Sequence, residues 1–390
     1  MRFLPPLVVL SLVSSVGAAT YPAFSLKFVT NEPRIEKGRL VEDTIAKRYP
    51  VNAALVARSQ RIGRLSTDLL PRLSHTFNVI EQRKPKEAYF VNDEGRWIAR
   101  QQTGWVVDRR ATKDNILKAI QAGRHEAEIV LRRVEPKRSV RDWARAGILH
   151  HVSGGESNFA GSPSFRVKNI LVGAKKLEER YVKPSEEFDF NAYVGEIDKK
   201  NGFVPGYVIS GGTLEKEDGG GICQVSTTIF RAAYQGGFPI TERHEHSHRV
   251  KYYDPVGYEA TVYAPSKNFK FRNDTKAPLF IQASWDLRSS TLRFDIFGAK
   301  PNRKVTVSRP VVTSFKPPAK PSYTADPNQA KGTRRLVDVP MQGMKAAITR
   351  RIVQANGEAR KDRTVSVYEP WGAVYAVNPR DKRLKAQASN

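Results

Sequence analysis

Apolar positions along this chain fall into short groups whose spacing changes several times. Tyr89-Phe90-Val91 reads as a strand, Asn92 to Gly95 as a turn, and Trp97 with Ile98 as the returning strand. Trp105-Val106-Val107 follows as a third strand. Thr112 is placed to cap a helix carrying Ile116, Leu117 and Ile120, which Gly123 stops. Ala127 to Val134 returns to a strand pattern, so residues 85–135 read as a small α+β module ending at the charged stretch from Pro136 to Ser139. Upstream, Asp43 to Arg48 and Ala53 to Leu70 space Leu55, Val56, Ile62, Leu65, Leu69 and Leu70 as a helix would, which predicts a helical region over 20–84.

The stretch 151–300 has a different character. Ser153 to Ser164 is rich in Gly, Ser, Asn and Pro and reads as a loop. Arg166 to Tyr181 places Val167, Ile170, Leu171, Ala174 and Leu177 on one helical side. Phe188-Asp189-Phe190 and the Phe203 to Ile209 segment resume as strands. Beyond it, 305–380 reads as a small all-β module with a linker at Pro317 to Ala330, and 381–390 as a basic tail. The expected fold class is therefore α+β and multidomain.

The first residues set the compartment. Arg2 precedes a mostly apolar run from Phe3 to Val13, and small residues follow around Gly17, Ala18 and Ala19, the pattern of a signal peptide over 1–19. A run of about eleven residues is short of the ~20 that span a bilayer, so no transmembrane segment is expected once the signal is removed. The formal net charge is +26, and residues 301–390 alone carry 18 basic and 6 acidic side chains, a net +12. For an exported chain the expected partner is peptidoglycan or another anionic wall polymer, with a wall-synthesis or wall-remodelling protein as a further partner. Nucleic acid is not expected, since no zinc-finger spacing or RNA-binding aromatic motif accompanies the charge. One cysteine, Cys223, rules out an intramolecular disulfide.

Two constellations carry chemistry. In Asp218-Gly219-Gly220-Gly221-Ile222-Cys223-Gln224-Val225-Ser226-Thr227-Thr228, three glycines open a helix pattern that Gly236-Gly237 closes, putting Cys223 in a first helical turn. There the unpaired amides and the helix dipole favour a thiolate and can stabilise an oxyanion. Gln224 is a further candidate donor, and Gly219, Gly220, Gly221, Ser226 and Thr227 are candidate substrate contacts. The same residues would equally suit a structural turn with Cys223 as core. In Glu242-Arg243-His244-Glu245-His246-Ser247-His248, alternate histidines would share one face of a strand. One of them, His246 or else His244, is a candidate base for Cys223, oriented by Glu242, Glu245 or Asp254. Arg243 is a candidate for holding a substrate carboxylate, or a partner for Glu215 or Glu217. A metal held by His244, His246 and His248 is the weaker alternative, a solvated polar strand another. No cofactor is expected.

These two segments resemble the signature of the VanW family. The likeness extends over about 165–280 through Asn169-Ile170, Glu187-Phe188-Asp189-Phe190-Asn191, Gly195, Gly202-Phe203, Ala260-Thr261 and Phe269-Lys270-Phe271-Arg272-Asn273. Ser185 stands where the family usually has glycine, Glu259 where it commonly has aspartate, and Asn268 replaces another frequent aspartate. The flanks add two resemblances. Tyr89 to Leu131, with Gly95, Trp97, Ile98 and Gly104, is similar to a peptidoglycan-binding module found ahead of VanW domains, which implies Trp97 and Trp105 as wall contacts. Residues 305–380 resemble the extracellular five-glycine adhesion domain through Gly332, Gln342-Gly343, Asn356-Gly357 and Pro370. Together they imply an exported envelope protein, in the periplasm or cell wall, that binds peptidoglycan and supports wall metabolism. The alternative is a cysteine-dependent enzyme acting on peptide stems.

Overall fold

The computed structural model describes residues 22–210 and 213–384, so the expected signal peptide lies outside the described residues. The chain is an α+β protein of two compact units. Residues up to Arg34, Val41–Tyr89 and Arg100–Ser139 form the first; Ile35–Leu40, Phe90–Ala99 and Val140 onward form the second. No helix among the described residues is long and apolar enough to cross a membrane.

In the first unit, alternation over the first residues of the strand Phe24–Glu36 buries Phe24, Leu26 and Phe28. The helix Leu69–Glu81 supplies Leu69, Leu73, Phe77 and Ile80 to the same core. Part of the expected helical region is strand instead. Arg39–Val51, including the Asp43 to Arg48 stretch, is an edge strand hydrogen-bonded to Phe24–Glu36. Ile45 and Tyr49 are four apart and mimic a helical face, but pairing with a long neighbouring strand decides the backbone. The boundary expected at 84/85 also disappears, because Glu126–Glu128 lies parallel to Phe24–Glu36. The helix Arg109–Gln121 starts one turn earlier than expected: Asp108 caps it by accepting from Ala111 N at 2.9 Å, while Thr112 sits inside and accepts from Val130 N.

The second unit is organised by an antiparallel sheet in the order His150–Asn158, Thr291–Gly298, Leu279–Asp286, Arg180–Val182. Its core also takes the helices Ser164–Leu177 and Ile222–Gln235, through Ile170, Ala174, Leu177, Val225 and Ile229. The first strand occupies part of the expected loop from Ser153. Its small residues let the Ile222–Gln235 helix approach: a Cβ on Gly155 would lie 2.3 Å from Thr228 O, and Ser153 Oγ donates to Ala232 O at 2.8 Å. Ser157 and Thr228 hydroxyls meet at 2.6 Å.

The C-terminal part is all-β as expected. Arg303–Val307, Val311–Lys316, Gly343–Gln354 and Ala359–Tyr368 form one sheet. The expected linker is partly structured, since Ser322–Ala325 pairs parallel with Val374–Val377. This sheet belongs to the same compact unit as the central domain. Buried Arg350 donates to Tyr234 O and Phe238 O, and Tyr258 Oη donates to Ser308 O.

Candidate active site

Gly219 and Gly221 take φ of +87° and +116°, the left-handed side of backbone space, and so turn the chain sharply into the helix Ile222–Gln235. Cys223 is the second helical residue. Ile222 N and Gln224 N bond back to Gly219 O and Gly221 O, and the first turn has no intrahelical acceptor for the Cys223 amide. The thiol is half-buried and opens on a cleft of about 1310 Å³ that also includes Arg166, His246, Tyr252, Tyr253 and Trp371.

His246 reaches the thiol through its sequence neighbours' irregular path. Past Glu242, which ends the strand Ile240–Glu242, His244 makes an isolated bridge to Thr261. Cys223 Sγ donates to Val262 O at 3.6 Å and is close enough to the His246 ring for its pKa to be lowered by it, and His246 Nδ1 meets Glu259 Oε2 at 2.8 Å. With Nδ1 committed to Glu259, Nε2 is the nitrogen left for sulfur. Tyr253 lies against the imidazole at 4.7 Å between ring centres, and Thr261 Oγ1 is 3.5 Å from Sγ. The result is a Cys–His–Glu line in which His246 is 12 % and Glu259 3 % exposed at the side chain.

The electrostatics follow from that line. Burial pushes the Cys223 thiol up, but the His246 hydrogen bond and charge, with Thr261, bring it below the ordinary value. Burial likewise disfavours the imidazolium, yet the Glu259 carboxylate and the cysteine hold His246 up to about 9. Glu259 is itself kept below the ordinary carboxylate range by the His246 charge against its own burial. Together these effects shift the pair toward thiolate and imidazolium relative to a free cysteine and a free histidine.

The other expected site residues divide. His244 turns to Glu242 at 3.1 Å, and His248 meets Glu369 O through Nδ1 while its ring lies 4.5 Å from Trp371. Three histidines with three separate partners do not form the metal face considered from their alternation, and no cluster of three metal-ligating side chains occurs among the described residues. Gln224 is fully buried with both amide ends occupied, by Arg166 and by Asn158 O, so it is no oxyanion donor. Ser226 and Thr227 clamp Ala260. Arg243 is spent on Glu259 O, Ser366 and Glu245. Gly219 and Gly221 line the cleft; Gly220 is buried, its carbonyl accepting from Asn169. Trp105 is core, edge-on to Phe28, and Trp97 stacks on His151 at 4.8 Å. Glu259 is the member sequence reasoning missed, since its contact with His246 is made only by the fold.

The family model described as VanW like protein matches residues 165–297, a span holding all three members of this line. That segment is similar to the VanW domain. Among curated relatives, the uncharacterized protein YoaR of Bacillus subtilis (strain 168) is 38% identical over 125 residues, 32% of this chain and 41% of that protein. The Vancomycin B-type resistance protein VanW of Enterococcus faecalis (strain ATCC 700802 / V583) is 31% identical over 127 residues, 31% of this chain and 46% of that protein. The chain thus spans less than half the length of either. Among solved structures, HP0197-G5 matches with a TM-score of 0.11 and 13% identity, covering 19% of this chain and 99% of that one. The G5 domain of an IgA1 protease matches at 0.12 and 16%, covering 20% and 94%.

Proposed function

We propose that this is an exported cell-envelope protein whose VanW domain performs cysteine-dependent acyl transfer or hydrolysis on the peptide stems of peptidoglycan. The observation that carries the reaction type is the Cys223–His246–Glu259 line opening on the cleft. The Cys223 thiolate attacks a stem carbonyl carbon, and the carbonyl pair moves to oxygen beside the first-turn amides. His246 gives its Nε2 proton to the departing amine as the C–N bond breaks, leaving a thioester. Water or a second amine then attacks the thioester, His246 takes that nucleophile's proton, and the acyl group leaves sulfur. Glu259 holds the ring tautomer and its positive charge throughout.

The wall as substrate is supported by the export signal, the two flanks resembling wall-binding modules, the +26 charge and a relative named for vancomycin resistance. The flanks would then hold the domain against peptidoglycan while the cleft works on its peptides. Purified full chain incubated with muropeptides should give released or exchanged stem residues and, on acid quenching, a mass adduct on Cys223. Cys223→Ser should abolish both. Neither adduct nor turnover, from a chain that still pellets with purified peptidoglycan, would reduce the protein to a binding module.

A further inference from the structure

We propose that Arg166 recognises a free carboxylate on the substrate, within one residue of the bond that Cys223 attacks. This rests on the reading of Cys223 as nucleophile.

Arg166 lies in the first turn of the helix Ser164–Leu177 and is only 8% exposed, yet it lines the cleft. Its guanidinium donates to Ser162 Oγ at 2.6 Å, Gln224 Oε1 at 2.8 Å and Tyr253 Oη at 3.4 Å, and lies 4.0 Å from the centre of the Tyr252 ring. Every one of these partners is neutral. The other buried arginines of the unit are compensated differently. Arg350 has Asp362, Arg303 has Asp274 and Arg243 has Glu245. Arg231 is enclosed by four backbone carbonyls. Arg166 alone of this group keeps its positive charge on the cleft wall with no carboxylate against it among the described residues. Five N–H donors serve three hydrogen bonds, so donors remain for a ligand.

Its position fits the reaction. Tyr253 touches Arg166 with its hydroxyl and His246 with its ring. A Cβ on Gly221 would lie 2.8 Å from Arg166 Cγ, and Gly221 caps the helix turn that bears Cys223. A peptide residue spans about 3.3–3.6 Å when extended, so an acyl group on sulfur would bring the next residue's charge to the guanidinium. A planar fork stacked on an aromatic ring is suited to bidentate carboxylate binding. The carboxylate could be the C-terminus of the departing residue or a side chain of the acyl residue.

The test uses the full chain with Cys223→Ala, which binds without reacting. Calorimetric titration would compare diacetyl-L-lysyl-D-alanyl-D-alanine, its C-terminal amide, and that amide with D-glutamate in place of the middle alanine. The expected result is binding of at least one carboxylate peptide about tenfold tighter than the plain amide, and the identity of that peptide assigns the source. The preference should vanish in Arg166→Gln and survive in part in Arg166→Lys, which also serves should Arg166→Gln not fold. Equal binding of all three peptides, no binding of any, or a preference that persists without Arg166 would overturn the proposal. Failure of the catalytic reading is separate: it appears as an unreactive Cys223 thiol in the unsubstituted chain.

Discussion

A lone thiol is open to oxidation in an oxidising compartment unless its surroundings bury or use it. Cys223 has an imidazole beside it that lowers its thiol pKa, and that imidazole has a buried carboxylate. The pH dependence follows with a definite sign. Thiolate accumulates above the lowered Cys223 value, and the imidazolium persists until pH rises through about 9. Iodoacetamide alkylation of Cys223 should thus proceed at neutral pH with an apparent pKa below that of a free cysteine. Glu259→Gln removes the charge that holds His246 up. The thiol should then titrate higher and alkylate roughly tenfold more slowly at pH 7, the loss of thiolate expected when a thiol pKa rises by about one. An unchanged alkylation profile in Glu259→Gln would remove the carboxylate from the mechanism. Folding stability has its own sign: His246 is raised above its unfolded value, so its contribution is full below that value and lost as pH rises through about 9. Cys223 and the histidine run were legible in the sequence, because glycines and alternation mark them locally. Glu259 was not, since thirteen residues and an irregular path separate it from His246.

At the scale of single elements, the hydrophobic pattern located helices better than strands. Helix Ile222–Gln235 was readable from its glycine punctuation, and Ser164–Leu177 from its periodicity. Strand His150–Asn158 was not, because it contacts a helix backbone and therefore carries Gly and Ser where a strand pattern needs bulky residues. The turn Pro184-Ser185-Glu186 makes the opposite point, since a departure from the family's usual residue shows up as geometry. Ser185 sits at φ +63°, its N–H donating to Asn273 O at 2.8 Å. A non-glycine residue in the left-handed region costs about 1 kcal/mol or more, partly offset by the larger chain entropy that glycine loses on folding. Ser185→Gly should accordingly raise the denaturant midpoint, by the equivalent of about 0.5 kcal/mol, with the slope unchanged. A lowered midpoint would mean that the serine side chain contributes more than the turn strain removes.

For the second unit as a whole, the question is whether the VanW domain stands without the C-terminal sheet. Sequence reading separated them at about 300, on the strength of a composition change and a resemblance. Their side chains join them. Arg350, 3% exposed, reaches Tyr234 O and Phe238 O at the end of the cysteine helix, while Arg303 reaches Gly236 O. Near the site, Tyr368 Oη accepts from Gly257 N, and Arg243 bridges Glu259 O to Ser366 Oγ. The backbone that carries Glu259 is thus tied to the C-terminal sheet, directly at Gly257 and through Arg243 at Glu259 O. Two consequences can be measured. Calorimetry of the full chain should find one cooperative transition for the second unit rather than separate melting of the two parts. Arg350→Ala should destabilise that transition by about 3 kcal/mol, the cost of leaving two buried carbonyls and Asp362 without this donor. Because Glu259 depends on the same sheet, a chain ending at residue 300 should also lose the lowered thiol titration. Retention of fast alkylation at neutral pH by that shortened chain, together with an independent melting transition, would make the C-terminal module a separable anchor and confine the site's support to the VanW domain.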